Sequence, residues 1–227
     1  RPAGMMARML AHEIRNPLAG IQAAGQLLSK KLEKADRALA DLVVSESQRI
    51  GRLVDKMAVF DDAAPMALSK INLHAPIEQA ATLIASAFPA MQIVRRFDPS
   101  LPDIDGGHDQ LVQVFINLLT NAAEAEADKL TLHTGYHLGS TIVHPRSLEK
   151  LPLRITIEDN GSGMSAETSK RLFEAYYTTK ATGQGFGLAI AAKIIDDHGG
   201  VIEVTDSKAG KTVIDIYLPA PRDGEAT

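Results

Sequence analysis

The sequence predicts an α plus α/β chain: an antiparallel helical hairpin that pairs with a second copy as a four-helix bundle, then a mixed sheet covered by helices. Three observations predict it. Up to residue 60 the apolar positions recur at alternating spacings of four and three, the heptad signature of helices that face a partner. Asp61–Lys70 (DDAAPMALSK) then breaks the repeat and reads as a linker. Beyond it short strand-like and helical runs are interspersed, and several strands follow one another directly, which suits a mixed sheet better than a doubly wound one.

The first helix carries Ile14, Leu18, Ile21, Gly25, Leu28 and Leu32 on one seam. The second carries Leu39, Val43, Ile50, Leu53, Met57 and Phe60, with Glu46 interrupting the pattern. The polar stretch Glu33–Arg37 is short enough to turn an antiparallel hairpin. Two helices alone bury little, hence the expectation of a homodimer. Within the first helix lies AHEIRNPLAGI, Ala11–Ile21. Residues four apart are neighbours on a helix, so His12 and Asn16 share a face, with Glu13 beside the histidine. Pro17 has no N–H for the Glu13 carbonyl, which predicts a kink there. His12 falls one position past the extrapolated seam residue Ala11, which predicts an outward ring at the flank of the bundle.

The remainder is predicted as follows. Ile71–Leu73 is a short strand, Pro76–Ala87 a helix and Gln92–Phe97 a strand. Asp109–Ala125 is an apolar helix and Lys129–His137 a strand. Gly139–Lys150 is a polar loop, and Leu153–Glu158 alternates as a strand should. Gly187–His198 is a helix, and Val201–Thr205 with Thr212–Leu218 form a closing hairpin. The domains expected are 1–62, a linker 63–70, 71–221, and a frayed tail 222–227.

Composition sets bounds on partners. The 227 residues are 45% hydrophobic and 23% charged, with a net charge of −4, so no strong pull toward nucleic acid or an anionic membrane is expected. Cysteine is absent, which fits a reducing, cytoplasmic setting and leaves no thiol metal site. No apolar run is long enough to span a bilayer. The chain opens on Arg1 and reaches His12 at once, as an excised fragment would.

Three later clusters carry chemistry. Asn117 and Asn121 lie four apart in VFINLLTNAAEA; they are either core amides bonded to backbone or a place where Asn121 gives an oxygen to Mg²⁺ beside nucleotide phosphates. Asp159 shares the parity of Leu153, Ile155 and Ile157, so its carboxylate faces the covered side and needs donors, for which an adenine amine is suited. The glycines of DNGSG, Gly161 and Gly163, either make a plain turn or let the backbone approach a base. Gly183, Gly185 and Gly187 lead into a helix, where free N–H groups and the dipole favour phosphate. The spacing is GxGxG and does not follow a strand, which disfavours the Rossmann and P-loop patterns. Between the glycine clusters, Ser165–Thr182 reads as a lid with anchors Leu172, Phe173 and Tyr176 and the cation Lys180. Each cluster alone has a plain structural reading; their ordered co-occurrence does not.

In that order the motifs resemble the bacterial two-component sensor histidine kinases. AHEIRNPL is similar to their H-box, NLLTNAAEA to the N-box, EDNGSGM and GQGFGLAIA to the two glycine boxes, and LFEAYYTTK to the F-box. The runs NPLAGIQAAGQLLSK and FDPSLPDIDGGHDQLVQVFINLLTNAAEA, with the polar insertion near Tyr136–Lys150, resemble the nitrogen-regulation branch. Gln184 and Phe186 depart from the commonest glycine box. The resemblance implies a dimerisation and phosphotransfer hairpin followed by a Bergerat-type ATP-binding α/β sandwich. It implies His12 as phospho-acceptor, Glu13 as its proton partner, and Asn16 as the residue that orients water when the regulator is dephosphorylated. It implies ATP and Mg²⁺ as cofactors: Asn121 on the metal with Asn117 in support, Asp159 on adenine with Gly161 and Gly163 shaping the pocket. Gly183, Gly185 and Gly187 line the phosphates with Lys180, and Phe173 and Leu188 complete the site. The partners implied are a second copy, an NtrC-like response regulator receiver domain and a PII-type signal protein, in the cytoplasm. Two other readings compete: a Bergerat-fold ATPase without phosphotransfer, which has no need of the His12 segment, and a degenerate scaffold, against which the intact motif residues stand.

Overall fold

The apolar heptads fold as two helices, α1 (Pro2–Lys31) and α2 (Lys34–Ala58). The structure is a computed structural model that describes residues 2–58, 68–137, 141–175, 177–178 and 186–221; the side chains of 2–13, 15, 34–35, 49 and 52–58 lie outside that description. The chain divides into two compact units, 1–65 and 66–227.

In the first unit the turn is tighter than the sequence suggests. Only Leu32 and Glu33 separate the helices, because 34–37 already belong to α2. Arg37 explains the early start: its Nε donates to the Ser29 carbonyl at 2.7 Å, satisfying one of the orphan carbonyls that end α1. Ser29 in turn donates to Asp41 at 2.5 Å. Leu18, Gly25, Ala40 and Ser47 are buried between the helices. A Cβ at Gly25 would lie 2.7 Å from Val44 Cγ2, so glycine sets this close approach. The rest of the seam stays open: Ile21 is 45% exposed and Leu28 53%. Helix α1 runs unbroken through Pro17. The flank orientation expected for the His12 ring falls outside the described residues.

The second unit opens with β1 (Ser69–Ile71), so Ser69 and Lys70 are strand residues and not linker. The strand expected at Ile71–Leu73 is thus displaced: His74 N–H bonds the Asn72 side chain at 2.8 Å, which turns the chain into α3 (His74–Ala87). There follow β2 (Gln92–Arg96), β3 (Ile104–Gly106), α4 (His108–Glu124), β4 (Lys129–Tyr136), β5 (Leu153–Asp159), α5 (Ala166–Arg171), α6 (Gly187–Asp197), β6 (Val201–Lys208) and β7 (Lys211–Leu218). The main sheet has the order β2-β4-β5-β7-β6, with β2 parallel to β4 and the other pairs antiparallel. The mixed sheet is as expected; β3, which pairs β1, is not foreseen by the sequence pattern. Strand β6 runs three residues beyond Thr205, past an irregularity between Val204 and Asp206. The helices expected at Pro76–Ala87, Asp109–Ala125 and Gly187–His198 form within two residues of those bounds.

Alternation along the central strands builds the core. Leu130, Leu132, Ile155, Ile157, Ile214 and Ile216 share one face of the sheet and are buried, as are Phe115, Leu118 and Leu119 of α4 and Ile194 of α6. Each such side chain contributes about 1.5–3 kcal/mol by leaving water. The opposite face carries a polar cluster. Asp215, fully buried, accepts two hydrogen bonds from Arg154 at 2.9 and 2.7 Å and one each from Thr156 and Thr205. Helix α6 stops abruptly: Gly199 takes φ +70°, and Gly199 and Gly200 N–H close back on Asp196 and Ile195 carbonyls. The loop expected at 139–150 holds an isolated Val143–Lys150 bridge. Among the described residues no helix is long and apolar enough to cross a membrane.

Candidate functional site

Period-two alternation carries Asp159, the last residue of β5, to the covered face, where it is 7% exposed. Burial pushes its carboxyl above the usual range, against the lowering effect of two donors, the Gly161 N–H at 2.9 Å and the Thr212 hydroxyl. Thr212 stands directly opposite Asp159 on β7. A carboxylate offers about four acceptor directions, so roughly two remain for a ligand amine.

The turn after Asp159 is stitched to the end of α4. Asn160 Oδ1 accepts from Asp128 and Lys129 N–H at 3.1 and 3.0 Å, and Ser162 N–H donates to the Ala125 carbonyl at 2.9 Å. A Cβ at Gly161 would lie 2.7 Å from that carbonyl and 2.9 Å from the Asp159 carboxylate. Gly163 has φ +72°, and a Cβ there would meet the Lys208 carbonyl at 2.2 Å. Both glycines are therefore demanded by the chain's own packing, whatever ligand binds nearby.

Helix α4 runs from this turn toward the start of α6. Asn117 Nδ2 donates to the Gly187 carbonyl at 2.8 Å, and its Oδ1 accepts from Gln113 at 2.9 Å. Both ends of that amide are engaged, which makes Asn117 a brace for the glycine helix start. Asn121, one turn further on and half-buried, is beside the Ala125 end that meets the Asp159 turn. Leu188 is half-buried in the first turn of α6, behind the buried Phe186.

In the lid segment Ser165 caps α5 by accepting from Thr168 N–H at 3.1 Å. The Arg171 guanidinium lies 4.4 Å from the Tyr177 ring centroid. Phe173 is half-buried. Tyr176, Lys180, Gly183 and Gly185 lie outside the described residues. His12 and Glu13 occupy the first half of α1, and Asn16, a turn after His12, is exposed.

The residues present fit an adenine nucleotide: a buried carboxylate with acceptor capacity left, a backbone pressed close beside it, and a helix start braced nearby. The half-buried Asn121 carries an amide oxygen, a ligand type that Mg²⁺ accepts when substrate phosphates supply most of the others. Sequence reasoning missed Thr212 and Gln113. Gln113 sits four before Asn117, a visible signal; Thr212 is found only from strand register.

Two domain families match the chain. The histidine kinase-, DNA gyrase B- and HSP90-like ATPase family matches residues 106–222, and the His Kinase A (phospho-acceptor) domain matches 3–62. The chain is 41% identical over 225 residues to the sensory histidine kinase/phosphatase NtrB of Azospirillum brasilense, covering 96% of this chain and 56% of that protein. It is 43% identical to NtrB of Rhizobium leguminosarum bv. phaseoli, covering 96% and 58%. The chain thus spans just over half the length of these relatives. Among solved structures, full-length ShkA in complex with AMPPNP shares the fold at TM-score 0.75 and 23% identity, over 96% of this chain and 46% of that one. The catalytic domain of the histidine kinase ThkA aligns at TM-score 0.55 and 25% identity, over 69% and 97%. The chain therefore belongs to the histidine kinase family, joining a His Kinase A phospho-acceptor domain to a histidine kinase-, DNA gyrase B- and HSP90-like ATPase domain.

Proposed function

We propose that this chain is the catalytic core of a cytoplasmic nitrogen-regulation sensor kinase, which phosphorylates His12 from ATP and passes the phosphoryl group to an aspartate of an NtrC-like receiver domain. The observation that carries the reading is the buried Asp159 carboxylate, with acceptor directions to spare, on a turn tied to the α4 end that bears Asn121. The identity to NtrB proteins over most of this chain supports the pathway.

In the first step a neutral His12 ring nitrogen attacks the γ-phosphorus; an N–P bond forms as the P–O bond to ADP breaks. Glu13 orients the ring and takes or holds the proton of its other nitrogen. Asp159 accepts from the adenine amine, which fixes the base. Asn121 would hold Mg²⁺, which when bound neutralises charge on the phosphates. Gly187, braced by Asn117, presents the α6 N-terminus to them, with Gly183, Gly185 and Lys180 alongside. Phe173 and Leu188 bound the nucleotide on its lid side. In the second step the receiver aspartate oxygen attacks the phosphorus as the N–P bond breaks, and the proton held at Glu13 returns to the ring, so that His12 leaves as neutral imidazole. The reverse control, removal of phosphate from the regulator, uses a water oriented by the exposed Asn16; the relatives' designation as kinase/phosphatases supports this second activity.

The working unit is a homodimer, with 1–62 as phosphotransfer domain, 63–68 joining it to the catalytic domain up to 221, and a tail after it. The half-open apolar seam of α1 and α2 supports the pairing. A PII-type protein is a further partner of the same reading.

The experiment is labelling with γ-labelled ATP, followed by transfer to a panel of purified receiver domains. An acid-labile, alkali-stable phosphate is expected on the parent chain and none on His12→Gln, which still binds ATP. Undiminished labelling of His12→Gln rules that histidine out.

A further inference from the structure

Helices α4 and α6 lie side by side and antiparallel, and two hydrogen bonds tie them at opposite ends. At the candidate nucleotide end Asn117 holds the Gly187 carbonyl. At the far end the Gly107 N–H, just ahead of α4, donates to His198 Nε2 at 3.0 Å. His198 Nδ1 lies 2.7 Å from the Ile194 carbonyl. Because Nε2 accepts, the proton must sit on Nδ1, which donates to Ile194; the ring is neutral and both nitrogens are used. Gly107 caps α4 without any side-chain cap of its own, so a ring from another helix holds the approach to α4. His198 also closes α6, immediately before the glycines that stop it.

We propose that His198 is a positioning residue for the nucleotide site: by pinning the start of α4 to the end of α6, it keeps Asn117 and Asn121 aligned with the α6 N-terminus, and its protonation releases that grip. The proposal rests on the nucleotide reading given above. The lever is long. Asn117 is ten helical steps beyond Gly107, about 15 Å at helical rise, so a small tilt at the latch moves the amides appreciably.

Protonation puts a hydrogen on Nε2, which then faces the Gly107 N–H, and the bond is lost. The surroundings oppose and favour that event in known ways. Burial is the main effect and holds the His198 pKa below its ordinary value, while the hydrogen bond to the Ile194 carbonyl and then the charge of Asp197 pull it upward. His198 also lines a cavity of about 400 Å³ with Asp105 of β3, Glu149 ahead of β5, and Asp196 and Asp197 of α6. Those carboxylates are engaged in part: Lys70 pairs with Asp105, Arg146 and His144 with Asp196, and Lys193 with Asp197.

By linkage, if the neutral latch favours nucleotide, nucleotide must favour the neutral latch. The test follows the ring resonances of His198 by NMR against pH, using the whole chain, with and without Mg·ADP. Nucleotide is expected to lower the His198 midpoint. Calorimetry then compares the parent, His198→Gln and His198→Phe from pH 7.5 to 5.5. The glutamine oxygen can still accept from Gly107; the phenyl ring cannot. Parent affinity should fall about fivefold relative to His198→Gln on acidification, a modest allosteric coupling, and the ratio at each pH cancels the nucleotide's own titration. His198→Phe should bind weakly at every pH, and His198→Gln should recover most of that loss. If His198→Phe does not fold, the midpoint shift and the parent-to-glutamine ratio still decide. A parent that binds Mg·ADP with an unmoved His198 midpoint and a flat ratio overturns the latch and leaves the nucleotide reading standing. A parent that binds no nucleotide at pH 7.5 overturns both.

Discussion

Asn117 gives its amide hydrogen to the carbonyl of Gly187 across 70 residues of chain, at 2.8 Å. Replacing it with leucine keeps the branching at Cγ and removes the bond, so that carbonyl and Gln113 both lose a partner. Asn117→Leu should cost about 1–2 kcal/mol in urea melts. It should also weaken Mg·ADP by a larger factor than the stability loss alone implies. An unchanged Kd would assign the brace a purely structural part.

Asp159 is held against its own solvation. Burial raises its pKa, so the folded chain binds that proton more tightly than the unfolded one. Stability is thus greatest below the ordinary carboxylate range and declines as pH climbs from there through the raised value. Asp159→Asn removes the buried charge. It should abolish nucleotide binding yet raise Tm at pH 7.5 by about 2–4 °C for each 1 kcal/mol gained, with the gap closing toward pH 4. Paired scans at the two pH values test this; a lower Tm at neutral pH would show that the charge is fully compensated.

The Asp215 cluster has the opposite sign. Burial pushes its carboxyl up, but Arg154, Thr156 and Thr205 together outweigh that and hold it below the usual range. Its stabilisation is present above the unfolded pKa and is lost as pH falls through the folded one. Arg154→Met strands the carboxylate and should cost about 3 kcal/mol at pH 7, less as the solution is acidified. Denaturant midpoints measured between pH 7 and pH 3 give the slope.

Gly163→Ala places a methyl where φ is +72° and the Lys208 carbonyl is 2.2 Å away. The backbone cost alone is about 1–2 kcal/mol, and the clash adds to it. Loss of protection should appear by hydrogen exchange in the β6–β7 turn and in α5.

Ile21 and Leu28 stay about half exposed on the seam that also holds the buried Leu18 and Gly25. Ile21→Glu with Leu28→Glu should convert a dimer into a monomer by light scattering while leaving the second unit's nucleotide affinity within about twofold. A parent chain that is already monomeric would overturn the proposed pairing.

Much of this was legible as periodicity. Alternation in LRITIED located the Asp159 carboxylate on the covered face, and the heptads located both helices of the hairpin. What periodicity cannot carry is pairing. Strands β1 and β3 have three residues each and exist only because they bond one another. Thr212 supports Asp159 through strand register, and Gly163 is required by a carbonyl 45 positions away. The turn between α1 and α2 is short because Arg37 reaches back to Ser29, a contact with no local signature. The ring of His198 meets Gly107 for the same kind of reason, after 91 intervening steps of chain.

The segment between the two glycine clusters begins and ends on fixed ground. Met164 N–H is held by Ser207 at 2.9 Å beside the wedged Gly163, and at the other end Gly187 is held by Asn117. Both ends are therefore inherited from the sandwich and not from the residues that fill the span, so a change of sequence between them leaves the two anchor points where they are.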